Sequence, residues 1–445
     1  MASMLPAVRT VGRIRKYFEP RRVFPTGPLP PSWFAGHMAK AIRLLQKHET
    51  LSSVDLVVEV RDARIPISSR NPVFDTLMED ARSSKLVDKG HMPKRLIVYC
   101  KRDLADENKD QEIINAHSEY LGEKAIFVNT VRKRDIRMLL RTAIELLETS
   151  KPISQIRSSL NNKATGNEIQ LNGRTSPTEG YTMLITGIPN VGKSTLINSL
   201  RTFAYKPKYR PAFTKGNVVK TGKTPGVTRN ITGVVKVCPD PLLYVYDTPG
   251  ITMPYLGAGH SGWIRSLKLA LTSSIKDSLI DPISIADYLL FHLNLHLFGG
   301  PIKHSIPDCL AQIARQSKYP TNDIDPFLEA IASNRKMILK GGILNTHEAA
   351  VQFIEMYRDG KLGRFDLDEW GTTADERKKN LELIFKYGVK KTPLDQFHLS
   401  DEEKNNEYLQ LYRIGESVSQ ARLRKKHDVK EAMVRKFQRM KEQRS

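Results

Sequence analysis

The sequence of 445 residues is short of acid: 48 Asp and Glu stand against 70 Lys and Arg, a formal charge of +22. Such a field draws polyanions, nucleic acid first and an anionic membrane face second. Cysteine is scarce as well. Cys100, Cys238 and Cys309 are too few and too far apart for a disulfide framework or a zinc site, which suits a reducing compartment. Long apolar runs are missing: the richest stretch, 285–299, is cut by Asp287, His292, Asn294 and His296, short of the ~18 uninterrupted residues of a spanning helix. The hydrophobic share of 40% still fills a sizeable core, so a wholly disordered chain is excluded, and the length suits two or three domains.

Acid is scarcest at the two ends. The first 48 residues carry nine Lys or Arg and one acid, Glu19. An Arg-rich, acid-poor start without an apolar core reads as a mitochondrial presequence, with a basic RNA-binding arm as the alternative. We assign it residues 1–30, where Pro28 and Pro30 forbid a continuing helix. From Tyr412 onward eleven Lys or Arg face four acids, so residues 371–445 read as a basic helical extension that contacts rRNA phosphates or is a solvated helix.

Between the ends, short β-branched runs at 54–60, 96–99, 125–128, 181–186 and 242–246 alternate with helical stretches at 111–121 and 134–147. That alternation predicts an α/β domain, a mostly parallel sheet with helices on both faces, over residues 31–280. Residues 151–179 read as a linker. A helical RNA-binding region follows at 281–370.

Ligands of such a sheet bind at the carboxyl ends of its strands, and the polar motifs fall there. Gly187-Ile188-Pro189-Asn190-Val191-Gly192-Lys193-Ser194-Thr195 matches the phosphate-loop pattern in full, after a strand and before a helical stretch. Its backbone N–H groups turn inward around phosphates, Lys193 reaches the β- and γ-phosphates, and Ser194 holds Mg²⁺. Asp247-Thr248-Pro249-Gly250 follows a strand, with Asp247 placed for the magnesium shell and the Gly250 N–H for the γ-phosphate. Thr228 lies between the two motifs, where a switch hydroxyl joins the metal. Cys100-Lys101-Arg102-Asp103 is a guanine reader: Asp103 accepts from the base's N1–H and amine while Lys101 lies along its plane. An Asn usually stands where Cys100 does, and a thiol cannot replace the amide's hydrogen bonds, so base affinity is lowered. Asn129 and Thr130 match a further base-side loop. Asn190 either ligates a K⁺ between the phosphates or holds the loop's shape. Ile251, directly after Gly250, has no group to orient water, so catalysis takes that residue from elsewhere.

The guanine reader precedes the phosphate loop, the reverse of the ordinary order, as when a sheet is cut at one surface loop and joined at another. With Trp33-Phe34-Ala35-Gly36-His37-Met38, Arg61-Asp62-Ala63-Arg64-Ile65-Pro66 and Gly360-Lys361-Leu362-Gly363-Arg364, the chain resembles the YlqF/RbgA family of circularly permuted GTPases and its mitochondrial branch, over residues 31–368. The resemblance implies a GTPase of late large-subunit assembly, acting on rRNA and ribosomal proteins, with mitochondrial members peripheral to the matrix side of the inner membrane. It implies GTP, Mg²⁺ and K⁺ as cofactors. It also makes His37 the catalytic group; read from the residues alone, His37 is equally an RNA contact or a helix cap. We expect a monomer. Two rivals stay open: a nucleotide-gated RNA scaffold with little hydrolysis, and a nucleolar assembly GTPase.

Overall fold

The computed structural model describes residues 18–25, 54–82, 93–149, 180–204, 235–253, 259–299, 319–369 and 373–386. Isolated positions lie between them: 27, 42, 45, 170–171, 174–175, 256, 304, 306–311 and 371. His37, Thr228, the first 17 residues and the tail beyond 386 lie outside this set.

A six-stranded sheet organises the first half in the order β3-β2-β1-β6-β8-β7. Its strands are β1 (Leu56–Asp62), β2 (Lys94–Cys100), β3 (Lys124–Val128), β6 (Tyr181–Gly187), β7 (Val235–Pro239) and β8 (Leu242–Asp247); β4 (Gln170–Leu171) and β5 (Arg174–Thr175) form a separate hairpin. All neighbours are parallel except β7, which runs antiparallel to β8 at one edge. The expected mostly parallel sheet is therefore present, and β7 is a strand that the motif reading passed over. Its five residues carry a Lys in second place and end in Pro, which is edge-strand chemistry and gives little periodic signal.

Strand side chains alternate between faces. Leu56, Val58 and Val60 of β1 and Leu96 and Val98 of β2 face the main core. There they meet Ile136, Leu139 and Ala143 of α3 (Lys133–Glu148) and Leu196 and Leu200 of α4 (Lys193–Ala204). The opposite face of β1 and β2 is partly ionic. Glu59 accepts from Arg61 Nε at 2.7 Å and from Arg95 Nη2. Arg95 also donates to Asp75 of α1 (Pro72–Arg82) at 2.7 Å and to Glu123 at 3.3 Å. Tyr99 Oη lies 3.3 Å from Arg61 Nη1 and 2.9 Å from His117 Nε2. Burial alone pushes Glu59 up, but Arg61 and Arg95 outweigh it and hold the carboxyl below its usual range. Removing one partner of such a pair leaves an uncompensated charge and costs about 3–5 kcal/mol.

This ionic face is closed by α2 (Asp110–Ala116), the π-turn after it and α9 (Ala374–Lys386). Phe385 of α9 meets His117 edge-on at 4.5 Å, and Arg377 is paired with Glu112. The first residues of the basic extension thus pack on the sheet domain.

The helical region comprises α5 (Gly259–Leu271), α6 (Pro282–Phe298), α7 (Ile324–Asn334) and α8 (Thr346–Arg358). α6 starts at an Asp281 cap with Pro282 in its first turn, both helix-start residues. It is apolar almost all round and is buried among α5, α7 and α8. Residues 18–25 strap across it. Phe24 packs on Tyr288 and Phe291, Arg21 pairs with Asp287 at 2.5 Å, and the Arg21 amide donates to Asn322 Oδ1 at 3.2 Å. After α8 the chain returns to the sheet domain. Asp368 accepts from the amides of Ile67 and Ser68, each at 2.8 Å, and from Lys268 Nζ of α5 at 3.1 Å. Among the described residues no helix is long and apolar enough to cross a membrane.

Candidate nucleotide site

Register aligns the ends of four strands. Asp62 is opposite Cys100, Val60 opposite Gly187, and Ile185 opposite Asp247. The phosphate loop, Asp247 and the turn at residues 100–103 therefore form one row at the carboxyl edge of the sheet. The sequence order is permuted and the spatial order is not.

At the phosphate end the backbone dictates residue type. Gly187 has φ 143°, and a Cβ there would stand 2.2 Å from the Val60 carbonyl oxygen; Gly192 has φ 107°. A Cβ at Gly250 would stand 2.6 Å from Pro189 Cα, so the Asp247 turn lies directly on the phosphate loop. The Ile251 amide donates to the Gly187 carbonyl at 3.1 Å. Asn190, at φ 57°, donates through its side chain to the Ser273 carbonyl at 2.8 Å, which ties the loop to the end of α5. Lys193 is buried and donates to the carbonyls of Gly187 at 3.1 Å and Ile188 at 2.8 Å. Burial draws its ammonium down to about 8, against the pull of Asp247. Burial likewise pushes Asp247 up to about 6, opposed by Lys193 and the Ser194 hydroxyl. Both shifts arise because the charges lie in a dry cradle, where an anion's phosphates gain most from them.

The donor set suits magnesium. Ser194 Oγ lies 3.4 Å from Asp247 Oδ2, and Asp247 Oδ1 is buried without a hydrogen-bond partner. An orphaned carboxylate oxygen beside a hydroxyl is hard-cation chemistry. Among the described residues no three His, Cys, Asp or Glu cluster into a cage, and magnesium needs none where phosphates complete its shell.

At the guanine end, Cys100 is fully buried at the close of β2, its Cβ 3.5 Å from where a Cβ of Gly192 would be. The turn expected to read the base therefore lies against the phosphate loop. Burial pushes the Cys100 thiol up to about 12, so it acts as an apolar filler. Lys101 adopts the left-handed conformation, φ 61°, and donates to Asp62 at 3.0 Å. Asp103 lies half-buried in the short 3-10 helix that follows.

The model of the 50S ribosome-binding GTPase family matches residues 182–298. Mitochondrial GTPase 1 of Saccharomyces cerevisiae is 35% identical over 349 residues, which cover 77% of this chain and 81% of that protein. Mitochondrial ribosome-associated GTPase 1 of Mus musculus is 32% identical over 76% of this chain and 89% of its own length. The chain belongs to this family of circularly permuted GTPases. Ribosome biogenesis GTPase A of Bacillus cereus is 31% identical over 79% of the chain and 99% of its own length, which extends the relationship to bacteria. The chain is accordingly a GTP hydrolase.

Of the site residues expected from sequence, Cys100, Lys101, Asp103, Asn190, Val191, Gly192, Lys193, Ser194, Thr195, Asp247 and Gly250 lie along the one strand-end row. Asn129 and Thr130 follow β3, the strand next to β2, where Val128 is opposite Cys100, so they continue the row by one strand. There Asn129 Oδ1 accepts from the Val131 amide at 2.9 Å and its own amide donates to Asp135 at 2.8 Å, so its side chain closes a turn. His37 and Thr228 lie outside the described residues. Three residues without an expected role belong to the row. Asp62 and Arg64 stand beside Lys101, and Asn71 donates to the Ile251 carbonyl at 2.8 Å. For Asp62 and Arg64 the signal was their place at a strand's carboxyl end; Asn71 lies in a loop before α1 and carried none.

Proposed function

We propose that the chain is a GTP-gated assembly factor of the mitochondrial large ribosomal subunit, a monomer of the matrix whose helical region contacts rRNA and ribosomal proteins. The observation that carries this is the double attachment of the helical region to the nucleotide site. It is held through Asn190 and Ser273 at the phosphate loop, and through Asp368 and Leu367 at the loop after β1. A change at the γ-phosphate is thereby passed to the surface a partner meets. The charge of +22 supports a polyanionic partner, and the names of the relatives support a ribosome as its source and mitochondria as its place. The same charge suits peripheral contact with the anionic inner membrane. A basic leader would end before Phe18, because Arg21 and Phe24 are built into the helical region.

In this reading Lys193 contacts the β- and γ-phosphates while Ser194, Thr228 and Asp247 hold Mg²⁺. Held by these residues, magnesium would supply positive charge against the charge that develops on the phosphates. Asn190 offers its amide oxygen to K⁺, and Asp103 with Lys101 reads guanine. Ile251 is fully buried, with both backbone groups bonded, so the water-orienting group comes from elsewhere, and His37 is assigned that role. The same observation favours a second reading, a nucleotide-gated RNA scaffold with negligible turnover.

GTP hydrolysis by the purified protein in K⁺ and in Na⁺, with and without large ribosomal subunits, separates the two. Subunit-stimulated turnover that Lys193→Ala and His37→Ala both abolish is expected. Tight GTP binding with no turnover under any condition leaves the scaffold.

A further inference from the structure

Helix α1 begins at an Asn-Pro pair, and Asn71 is completely buried. Its Oδ1 accepts from the Val73 amide at 3.1 Å and its carbonyl from the Phe74 amide at 3.0 Å, which caps the first turn. A cap needs only an acceptor, and Ser or Asp supplies one as well as Asn does. What Asn adds is an amino group. A buried amino group is stable only when it is bonded, and Nδ2 donates to the Ile251 carbonyl at 2.8 Å, 180 residues away in sequence.

That carbonyl closes the turn after β8. The turn begins at Thr248, whose amide and hydroxyl donate to the Ile185 carbonyl at 3.3 and 3.0 Å. It ends at Ile251, whose amide donates to the Gly187 carbonyl at 3.1 Å. Gly250 rests on Pro189 of the phosphate loop with no room for a Cβ. Asn71 adds a bond from a different element, and the loop that carries it is itself fixed. The Arg70 carbonyl accepts from Arg265 Nη2 of α5 at 3.3 Å, and Arg70 Nη1 donates to the Ile384 carbonyl of α9 at 3.1 Å. Donors that meet charge on a phosphoryl group act best when they are in place beforehand and need not reorganise.

We infer that Asn71 is a positioning residue for the γ-phosphate, holding the turn 248–251 so that Gly250 stays seated against the phosphate loop. This rests on the reading of the Gly250 amide as a γ-phosphate donor. Asn71 acts through Ile251 and its neighbour Gly250, not by contact with the nucleotide. GDP has no γ-phosphate, so the residue bears on triphosphate binding and leaves diphosphate binding alone.

Affinities of the full-length protein for GDP and for a non-hydrolysable GTP analogue test this, in Asn71→Ser, Asn71→Ala and Gly250→Ala. Asn71→Ser keeps the cap and loses the bond to Ile251. Its analogue affinity is expected to fall about fivefold, the worth of one hydrogen bond, with GDP affinity within about twofold of wild type. Unchanged analogue affinity in Asn71→Ser beside a loss in Asn71→Ala shows a cap and nothing more, and overturns the inference. An equal fall for both nucleotides overturns it too. Gly250→Ala adds a Cβ that must push the turn off Pro189. If it lowers analogue affinity relative to GDP while Asn71→Ser does not, the inference alone fails. If it leaves that ratio unchanged, the γ-phosphate reading fails and the inference with it. Should Asn71→Ser fail to fold, Asn71→Asp keeps the cap and sets an acceptor against the Ile251 carbonyl. The same selective fall is expected of it, and unchanged analogue affinity overturns the inference.

Discussion

The two ends of the nucleotide site are built by different physics. At the phosphate end the constraint is local and steric: Gly187 and Gly250 leave no room for a Cβ, and Lys193 bonds carbonyls five and six residues away. At the proposed guanine end the constraint is ionic and remote, running from Lys101 through Asp62 and Arg64 to residues near 360. Steric constraints write themselves into a short motif. Ionic ones are spread over the chain, and each member looks ordinary alone.

The comparison can be broken first at its phosphate end. Lys193→Ala removes the buried ammonium, and hydrolysis is expected to fall by roughly 100- to 1,000-fold while the protein stays folded; single-turnover GTP assays read this directly. At the guanine end Asp103→Asn is expected to weaken GDP by about tenfold to 100-fold, the worth of hydrogen bonds to a charged acceptor, and to improve binding of xanthosine diphosphate. Competition between the two nucleotides checks it.

The smallest effect sharpens the contrast through pH. His117 is buried neutral behind β1 and β2, facing Glu123, Tyr99 and the guanidinium groups of Arg61 and Arg70, and burial holds it down at about 4. Its folded value is depressed, so the unfolded chain binds the proton first and stability falls as pH drops from about 6.5 towards 4. Glu59 and Glu123, also depressed, add losses only below the ordinary carboxylate range. Between pH 7 and 5 the expected cost is about 2 kcal/mol, removed in His117→Gln. Hydrogen exchange at pH 5 should rise in β1–β3 before β6–β8; uniform loosening would show that the two halves are not built differently.

Legibility followed the same division. The five parallel strands were readable because each is a short run of β-branched residues ending at a polar cluster, and the phosphate loop because sterics admits only glycine at its turns. β7 was not, since a short edge strand that carries a Lys and ends in Pro resembles a loop. The buried charges Glu59, Arg61 and Arg95 were also hidden, because a charge in a strand ordinarily points to solvent and only the return of α9 and His117 puts these under cover. The docking of 366–368 on the loops after β1 and β2 joins positions some 260 to 300 residues apart, and no local pattern encodes it.

The strap of residues 18–25 sets an order of events during synthesis. Its partners Asp287 and Asn322 lie 266 and 301 residues further on, so it is made long before it can find its place. The six strands and α1 to α4 lie between and meet one another in the interval, since domains fold as units while the chain emerges, whereas α9 follows the strap's partners. Closing the strap over α6 is then the step that reports a chain made through at least residue 322.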